Sequence, residues 1–395
     1  MLWSNRATLK LLIENILVEV KGMKTDYKVL GDYIQLVDQR NRDLSITNLL
    51  GVSIEKRFIP SIANIVGTDL SGYKIVRTGQ FAYGPVTSRN GEKISIAYLD
   101  SDDCIISSSY TVFEVTKKDE LDSEYLMLWF SRPEFDRYAR YKSHGSVREI
   151  FDWNELCMVE LPVPPIEEQR NIVKAYKTIT GRIALKKQIN DNLEATAQSY
   201  FDSLFFTNED SNCTLADIAL VNPVRQLSKG VEARCFDMAT LPTNGCIPTG
   251  DTIKPYNGGV RFINGDTLIA RITPCLENGK AAYINILKDD EVAFGSTEYI
   301  VFASKDNVPS CFYYFLIRNS KFVTFALQFM NGSSGRQRVS GEELASFPLI
   351  MPSENDLLAF DKVGSLVLEQ MKTLTAEIEL LKQLQETITA TLSSR

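Results

Sequence analysis

Leu161-Pro-Val-Pro-Pro-Ile-Glu-Glu-Gln-Arg-Asn-Ile-Val173 opens a helical stretch that runs to about Phe206. The same grammar returns at Phe347-Pro-Leu-Ile-Met-Pro-Ser353, ahead of a second helical stretch that runs to about Leu392. Each follows a folded-looking segment of roughly 140 residues, an ordinary domain size. The chain therefore reads globule, helix, globule, helix.

Working outward, the halves align at an offset of about 187 residues, far too long a period for a solenoid. Ser108-Ser-Tyr-Thr-Val-Phe113 parallels Ser296-Thr-Glu-Tyr-Ile-Val-Phe302, an alternating strand pattern. Ser123-Glu-Tyr-Leu-Met-Leu-Trp-Phe130 parallels Ser310-Cys-Phe-Tyr-Tyr-Phe-Leu-Ile317, an aromatic-rich helix. His144-Gly-Ser-Val-Arg148 parallels Asn331-Gly-Ser-Ser-Gly-Arg336, a polar glycine loop. Leu156 with Leu344, the proline-bearing strand and the long helix complete the order. This is a domain duplication. Glycine turns and alternating stretches such as Thr267-Leu-Ile-Ala-Arg-Ile272 mark each globule as mixed α and β.

The helices carry a seam at alternating steps of four and three. In the second it runs through Val367, Met371, Leu374, Ile378, Leu381, Ile388 and Leu392, with Gln385 as its polar member. In the first it runs through Ile172, Tyr176, Ile179, Ile183, Leu193, Ala197, Tyr200 and Leu204, with Lys186 and Asn190 intervening. Such a stripe is buried only against a partner helix, and polar members fix register at a cost in stability. Two such helices in one chain most simply pair with each other, antiparallel, as a rod of roughly 60 Å at 1.5 Å per residue. The expected fold is α+β: two duplicated mixed domains separated by two long helices in an antiparallel coiled coil, pseudo-twofold symmetric. The divisions expected are 1–22 (an amphipathic extension), 23–162, 163–206, 207–350 and 351–395. A pseudo-symmetric reader of this kind would address two half-sites on a duplex, which need not be alike.

Composition fits a soluble globular protein, with 44% apolar and 24% charged residues allowing large cores. Seven cysteines at irregular spacing, without a Cys-x-x-Cys pair, argue against zinc and for reduced thiols in a cytoplasm. The apolar run within residues 1–22 is interrupted by Glu14 and Glu19, which suits neither a signal core nor a membrane span. A net charge of −7 leaves DNA binding open, because the distribution of charge decides. Residues 307–341 hold no Asp or Glu but do hold Arg318, Lys321, Arg336 and Arg338; residues 132–148 are also locally basic.

Catalytic signatures are missing. A lone histidine, His144, leaves little room for a Ser-His-Asp triad. Gly245-Cys-Ile-Pro-Thr-Gly250 is followed by Asp251 and reads as a turn rather than a phosphate loop. Asn222-Pro-Val-Arg225 lacks the second proline and the aromatic of the amino-methyltransferase motif. The chemistry expected of this chain by itself is none.

The Pro164-Pro-Ile-Glu-Glu-Gln-Arg-Asn-Ile-Val173 segment, with the helix end Glu194-Ala-Thr-Ala-Gln-Ser-Tyr-Phe-Asp-Ser-Leu-Phe205, resembles the spacer of type I restriction–modification specificity (S) subunits. Gly265-Asp-Thr-Leu-Ile-Ala-Arg-Ile-Thr-Pro-Cys-Leu-Glu-Asn-Gly-Lys280 is similar to a target-recognition stretch of that family. The resemblance covers residues 23–392 and departs at Met351-Pro-Ser-Glu-Asn-Asp356, which lacks the Pro-Pro and the Glu-Gln. It implies a non-catalytic reader of double-stranded DNA that docks two methyltransferase (modification) subunits and two restriction motor-nuclease subunits, with no membrane role. S-adenosylmethionine, ATP and magnesium would then belong to those partners, with no cofactor in this chain.

Phosphate contacts position such a reader and base-edge contacts specify the sequence. In the first domain the candidates are Arg89, Lys142, His144, Ser146 and Arg148. In the second they are Arg271, Thr273, Asn278, Lys280, Ser333, Ser334, Arg336, Gln337 and Arg338. The rival readings are a self-sufficient DNA methyltransferase or nuclease with degenerate motifs, and a protein-binding scaffold.

Overall fold

In a computed structural model, residues 27–61, 67–88, 90–145, 148–206, 211–333 and 335–392 are described. The extension expected over residues 1–22 lies outside them. The chain divides into two compact units, one holding the described residues up to Gly181 together with Leu381 onward, the other Arg182–Leu380. Each unit thus carries part of both long helices, so the compact bodies do not follow the linear divisions of the sequence.

In the first unit, Tyr27–Val29 pairs antiparallel with Glu160–Pro162, the strand leading into the first long helix. A four-stranded antiparallel sheet is ordered Ile34–Val37, Thr111–Val115, Phe81–Tyr83, Ile96–Tyr98. Alternation sends Phe81 and Phe113 to one face, where they stack at 4.9 Å, with Phe130 edge-on to Phe81 at 6.0 Å. Phe130 ends the helix Ser123–Phe130, which starts where the Asp122 carboxylate accepts the Glu124 and Tyr125 N–H groups.

The second unit repeats this plan. Cys213–Thr214 pairs antiparallel with Pro348–Leu349 ahead of the second long helix. The main sheet is ordered Ala219–Val221, Tyr299–Ser304, Thr267–Ala270, Ala281–Tyr283, again antiparallel. Duplication therefore extends to strand order. The halves differ beside that sheet. The second unit adds a four-stranded sheet, Thr252–Pro255, Glu232–Phe236, Ala293–Gly295, Val260–Phe262, with one parallel pair. The first has two-stranded pairs there, Leu50–Val52 with Phe58–Pro60 and Lys74–Val76 with Cys104–Ile106.

The long helices are Ile166–Phe205 and Glu354–Thr391. Their pairing is antiparallel. Within the second unit, Lys186 pairs with Glu377, Asn190 donates to Thr375 Oγ1 at 3.5 Å, and Phe201 meets Phe360 at 5.0 Å. Within the first, Gln385 donates to Thr180 Oγ1 at 2.6 Å. The expected seam is buried at Ile172, Ile179, Ile183, Ala197, Met371, Leu374, Ile378, Leu381, Ile388 and Leu392. Its register slips at the globule of the second unit. Phe201 is fully buried where Tyr200 and Leu204 are only partly so, and Leu368 is buried where Val367 is partly so. A helix of 3.6 residues per turn drifts from a 3.5-residue seam. There it faces the aromatic core of Phe312 and Phe315 rather than only its helical partner.

The two helices start by different means. Gln169 is fully buried, and its amide donates to the Glu120 and Pro164 carbonyls, both at 2.7 Å, while its oxygen accepts the Asp122 N–H at 2.8 Å. The fourth residue of the second helix is instead the apolar, buried Leu357, and Ser353 Oγ accepts the Asp356 N–H at 3.1 Å. One lead-in is fastened by a polar side chain, the other by a cap and apolar burial. Among the described residues no helix is long and apolar enough to cross a membrane, and all seven cysteines are unbridged.

Candidate nucleic-acid interface

Both glycine loops are tips of short hairpins laid on a strand end. In the first unit His144 and Ile150 exchange main-chain hydrogen bonds of 3.1 and 2.9 Å. Gly145, at φ +137°, permits the turn; a Cβ there would stand 2.1 Å from the Arg148 carbonyl oxygen. The hairpin docks on residues 85–87 through Thr87 N–H to Glu149 O and Phe151 N–H to Pro85 O, both at 2.9 Å. In the second unit Asn331 and Arg338 make the same exchange at 3.0 and 2.8 Å. That hairpin docks through Thr273 N–H to Gln337 O and Val339 N–H to Arg271 O, both at 3.0 Å. Main-chain bonds build each platform, which leaves the tips free to differ.

In the first unit Lys142 lies 3.4 Å and His144 3.7 Å from the Glu155 carboxylate, and Arg140 pairs with Glu149. Arg148 is exposed at the hairpin tip. Arg89 and Ser146 lie outside the described residues.

The second hairpin gathers more of the sequence candidates. Thr273 is buried and its Oγ1 accepts the Gln337 N–H at 3.0 Å, so it shapes the platform. Lys280 Nζ donates to the Met238 carbonyl at 2.7 Å, which makes its ammonium a strut. Asn278 is exposed on the turn that precedes it. Ser333 and Arg336 are exposed at the tip, Gln337 is half-buried, and Ser334 lies outside the described residues. Arg338 grips Glu298: Nε to Oε1 and Oε2 at 3.0 and 2.9 Å, and Nη2 to Oε1 at 2.7 Å. This guanidinium holds the Glu298 carboxyl below the usual carboxylate range. Arg271 stands beside the same carboxylate, and its N–H donates to the Glu298 carbonyl at 2.9 Å.

Glu155 and Glu298 are the residues that sequence reading missed. The usable signal for Glu298 was a lone acid ahead of an apolar strand, facing an arginine-rich loop without acids of its own. The local basic faces also need correction. Arg318 is half-buried and held in hydrogen bonds to Tyr314, Gly245 and Gly279, and Arg132 is buried with its guanidinium over the Trp129 ring at 4.3 Å. Both guanidinium groups are core struts, because a desolvated cation needs such partners.

The family model described as "Type I restriction modification DNA specificity domain" matches residues 67–195 and 244–390. Each matched stretch joins one hairpin platform to one long helix. The chain is 30% identical over 190 residues to the type I restriction enzyme EcoAI specificity subunit of Escherichia coli, covering 46% of this chain and 32% of that protein. It is 27% identical over 190 residues to the EcoEI specificity subunit of Escherichia coli, with the same shares covered. The match thus spans about a third of the length of these curated relatives. A crystal structure of the type I restriction-modification system S subunit from M. genitalium superposes with a TM-score of 0.59 at 14% identity, covering 94% of this chain and 97% of that one. At that identity the likeness speaks for the fold.

Proposed function

This chain belongs to the type I restriction modification DNA specificity family, and we propose that it reads a bipartite, asymmetric DNA sequence for a restriction–modification complex. The observation that carries this reading is the twin platform: one hairpin-on-strand construction, built twice by main-chain bonds, bearing different side chains at its tips. Two modification subunits and two restriction subunits would dock on the chain and carry the chemistry, with S-adenosylmethionine, ATP and magnesium on their side. The chain itself recognises DNA and is not catalytic. It would act where its DNA lies, in the cytoplasm.

Exposed tip residues supply the contacts: Arg148 in the first unit, Ser333 and Arg336 in the second, with Gln337 and Arg338 beside them. Arginine suits guanine and glutamine suits adenine in the major groove. Mapping methylated bases in a host with and without this gene is the direct test. One split motif is expected to vanish with the gene, and an unaltered methylome would sink the reading. Purified chain that methylates or cuts DNA without partners would return the self-sufficient enzyme to first place.

We further propose that the paired helices set the unread interval between half-sites. Removing seven residues at matching positions from each helix shortens the pair by about 10 Å. The interval is expected to contract by about three base pairs, with both half-site sequences intact. Motif mapping reads this directly, and an unchanged interval contradicts it.

A further inference from the structure

Arg338 has five N–H donors. Three are committed, two to Glu298 and one from Nη1 to the Arg336 carbonyl at 3.2 Å. The two left are one on each terminal nitrogen, as many as a fork to guanine O6 and N7 requires. Glu298 is fixed in turn, its N–H donating to Ser296 Oγ at 3.1 Å and its carbonyl accepting from Arg271. The Arg338 side chain remains 41% exposed, which leaves it accessible to a ligand.

The first unit shows that this cluster is dispensable to the platform. Matching strand registers and docking bonds set Arg271 opposite Pro85, Glu298 opposite Ser109, and Arg338 opposite Ile150. All three charged residues are therefore replaced together by uncharged ones, while the same hairpin forms on the same strand end. A pair required for folding would recur in both copies. This one is confined to the unit whose loop carries it.

We propose that Glu298 is a positioning residue for base recognition: it holds Arg338 with both terminal nitrogens directed at a guanine in the half-site of the second unit. The inference rests on the reading of the chain as a DNA reader. A guanidinium held in one plane loses less freedom on meeting a planar base edge than a mobile one. Glu298 also repels the negative edge of a wrongly placed acceptor, so the pair rejects as well as selects.

The test uses the full chain expressed with its modification subunits, with methylated motifs sequenced for wild type, Arg338→Ala, Glu298→Ala and Glu298→Gln. Arg338→Ala is expected to relax one G·C position in one half-site, lowering discrimination there about ten- to a hundredfold. Glu298→Ala and Glu298→Gln are expected to relax that same position and no other. Adding Glu298→Ala to Arg338→Ala is expected to change the preference no further. The proposal is overturned if both Glu298 variants keep full preference at the position that Arg338→Ala relaxes. It is equally overturned if Arg338→Ala leaves both half-sites unchanged. Should Glu298→Ala abolish methylation by misfolding, the nearly isosteric Glu298→Gln decides: a uniform loss without altered base preference counts against positioning. A wild-type complex that marks no split motif fails the DNA-reading function itself, a result distinct from all of these.

Discussion

Truncating the chain after Leu380 is expected to unfold the first unit, whose globule lies at the opposite end of the sequence. Leu381, Leu384, Ile388 and Leu392 are all buried, and they belong to the same compact unit as the residues up to Gly181. Gln385 fastens this segment to Thr180. Each buried leucine or isoleucine contributes about 1.5–3 kcal/mol, so the four together are worth roughly 6–12 kcal/mol. That equals the whole stability of a typical domain. Limited proteolysis with mass spectrometry is expected to cut first within residues 166–181 of the truncated chain. A first-unit thermal transition of unchanged midpoint would contradict the assignment.

The second large effect is Arg318→Met. Arg318 gives Nε to Tyr314 at 3.2 Å, Nη1 to Gly279 O at 2.7 Å and Nη2 to Gly245 O at 2.8 Å, and it lies 3.4 Å from the Glu194 carboxylate. Tyr314 donates its hydroxyl to the same carboxylate, and burial pushes its ionisation well up, so it stays a neutral donor. Methionine fills similar volume but leaves Glu194 charged, poorly exposed and without its cation. Breaking a fully buried pair from one side costs about 3–5 kcal/mol; with its partners 16% and 14% exposed, this pair is expected to fall at or below the lower end of that range, read as a lower urea midpoint for the second unit. Removing the carboxylate as well, with Glu194→Gln, is expected to recover part of that loss. A midpoint equal to wild type for Arg318→Met would mean that water satisfies the network.

Arg318 also marks where sequence reading stopped. The duplication, the helix seam and the antiparallel pairing were legible because each is periodic or repeated along the chain. Met371, Leu374 and Ile378 announce their burial by spacing alone. Arg318 looked like one of several cations in a stretch without acids, because its partner Glu194 sits on another element, far away in sequence. Gln169 was quoted within a motif, yet its three hydrogen bonds to Glu120, Asp122 and Pro164 depend on a fold that brings those carbonyls and that N–H together. The hairpin tips were legible as glycine loops, and Arg271 and Arg338 as separate basic candidates for contacting DNA. The carboxylate between them was not. A counter-ion from across a sheet leaves no local pattern. The parallel pair in the second unit escaped for the same reason, since Cys235 and Phe294 meet only through topology.

The main-chain docking of the two hairpins has an evolutionary consequence. Thr87 with Glu149 and Thr273 with Gln337 are joined by groups that every residue type except proline carries on both sides. Five residues of sequence separate the bridged His144 and Ile150 and six separate Asn331 and Arg338, a difference of one residue that the same scaffold absorbs. Substitutions at tip positions other than Gly145 therefore leave the framework's own bonds untouched. Such a lineage can acquire a new target by point changes at a few exposed positions, one hairpin at a time, while the rest of the protein is inherited intact.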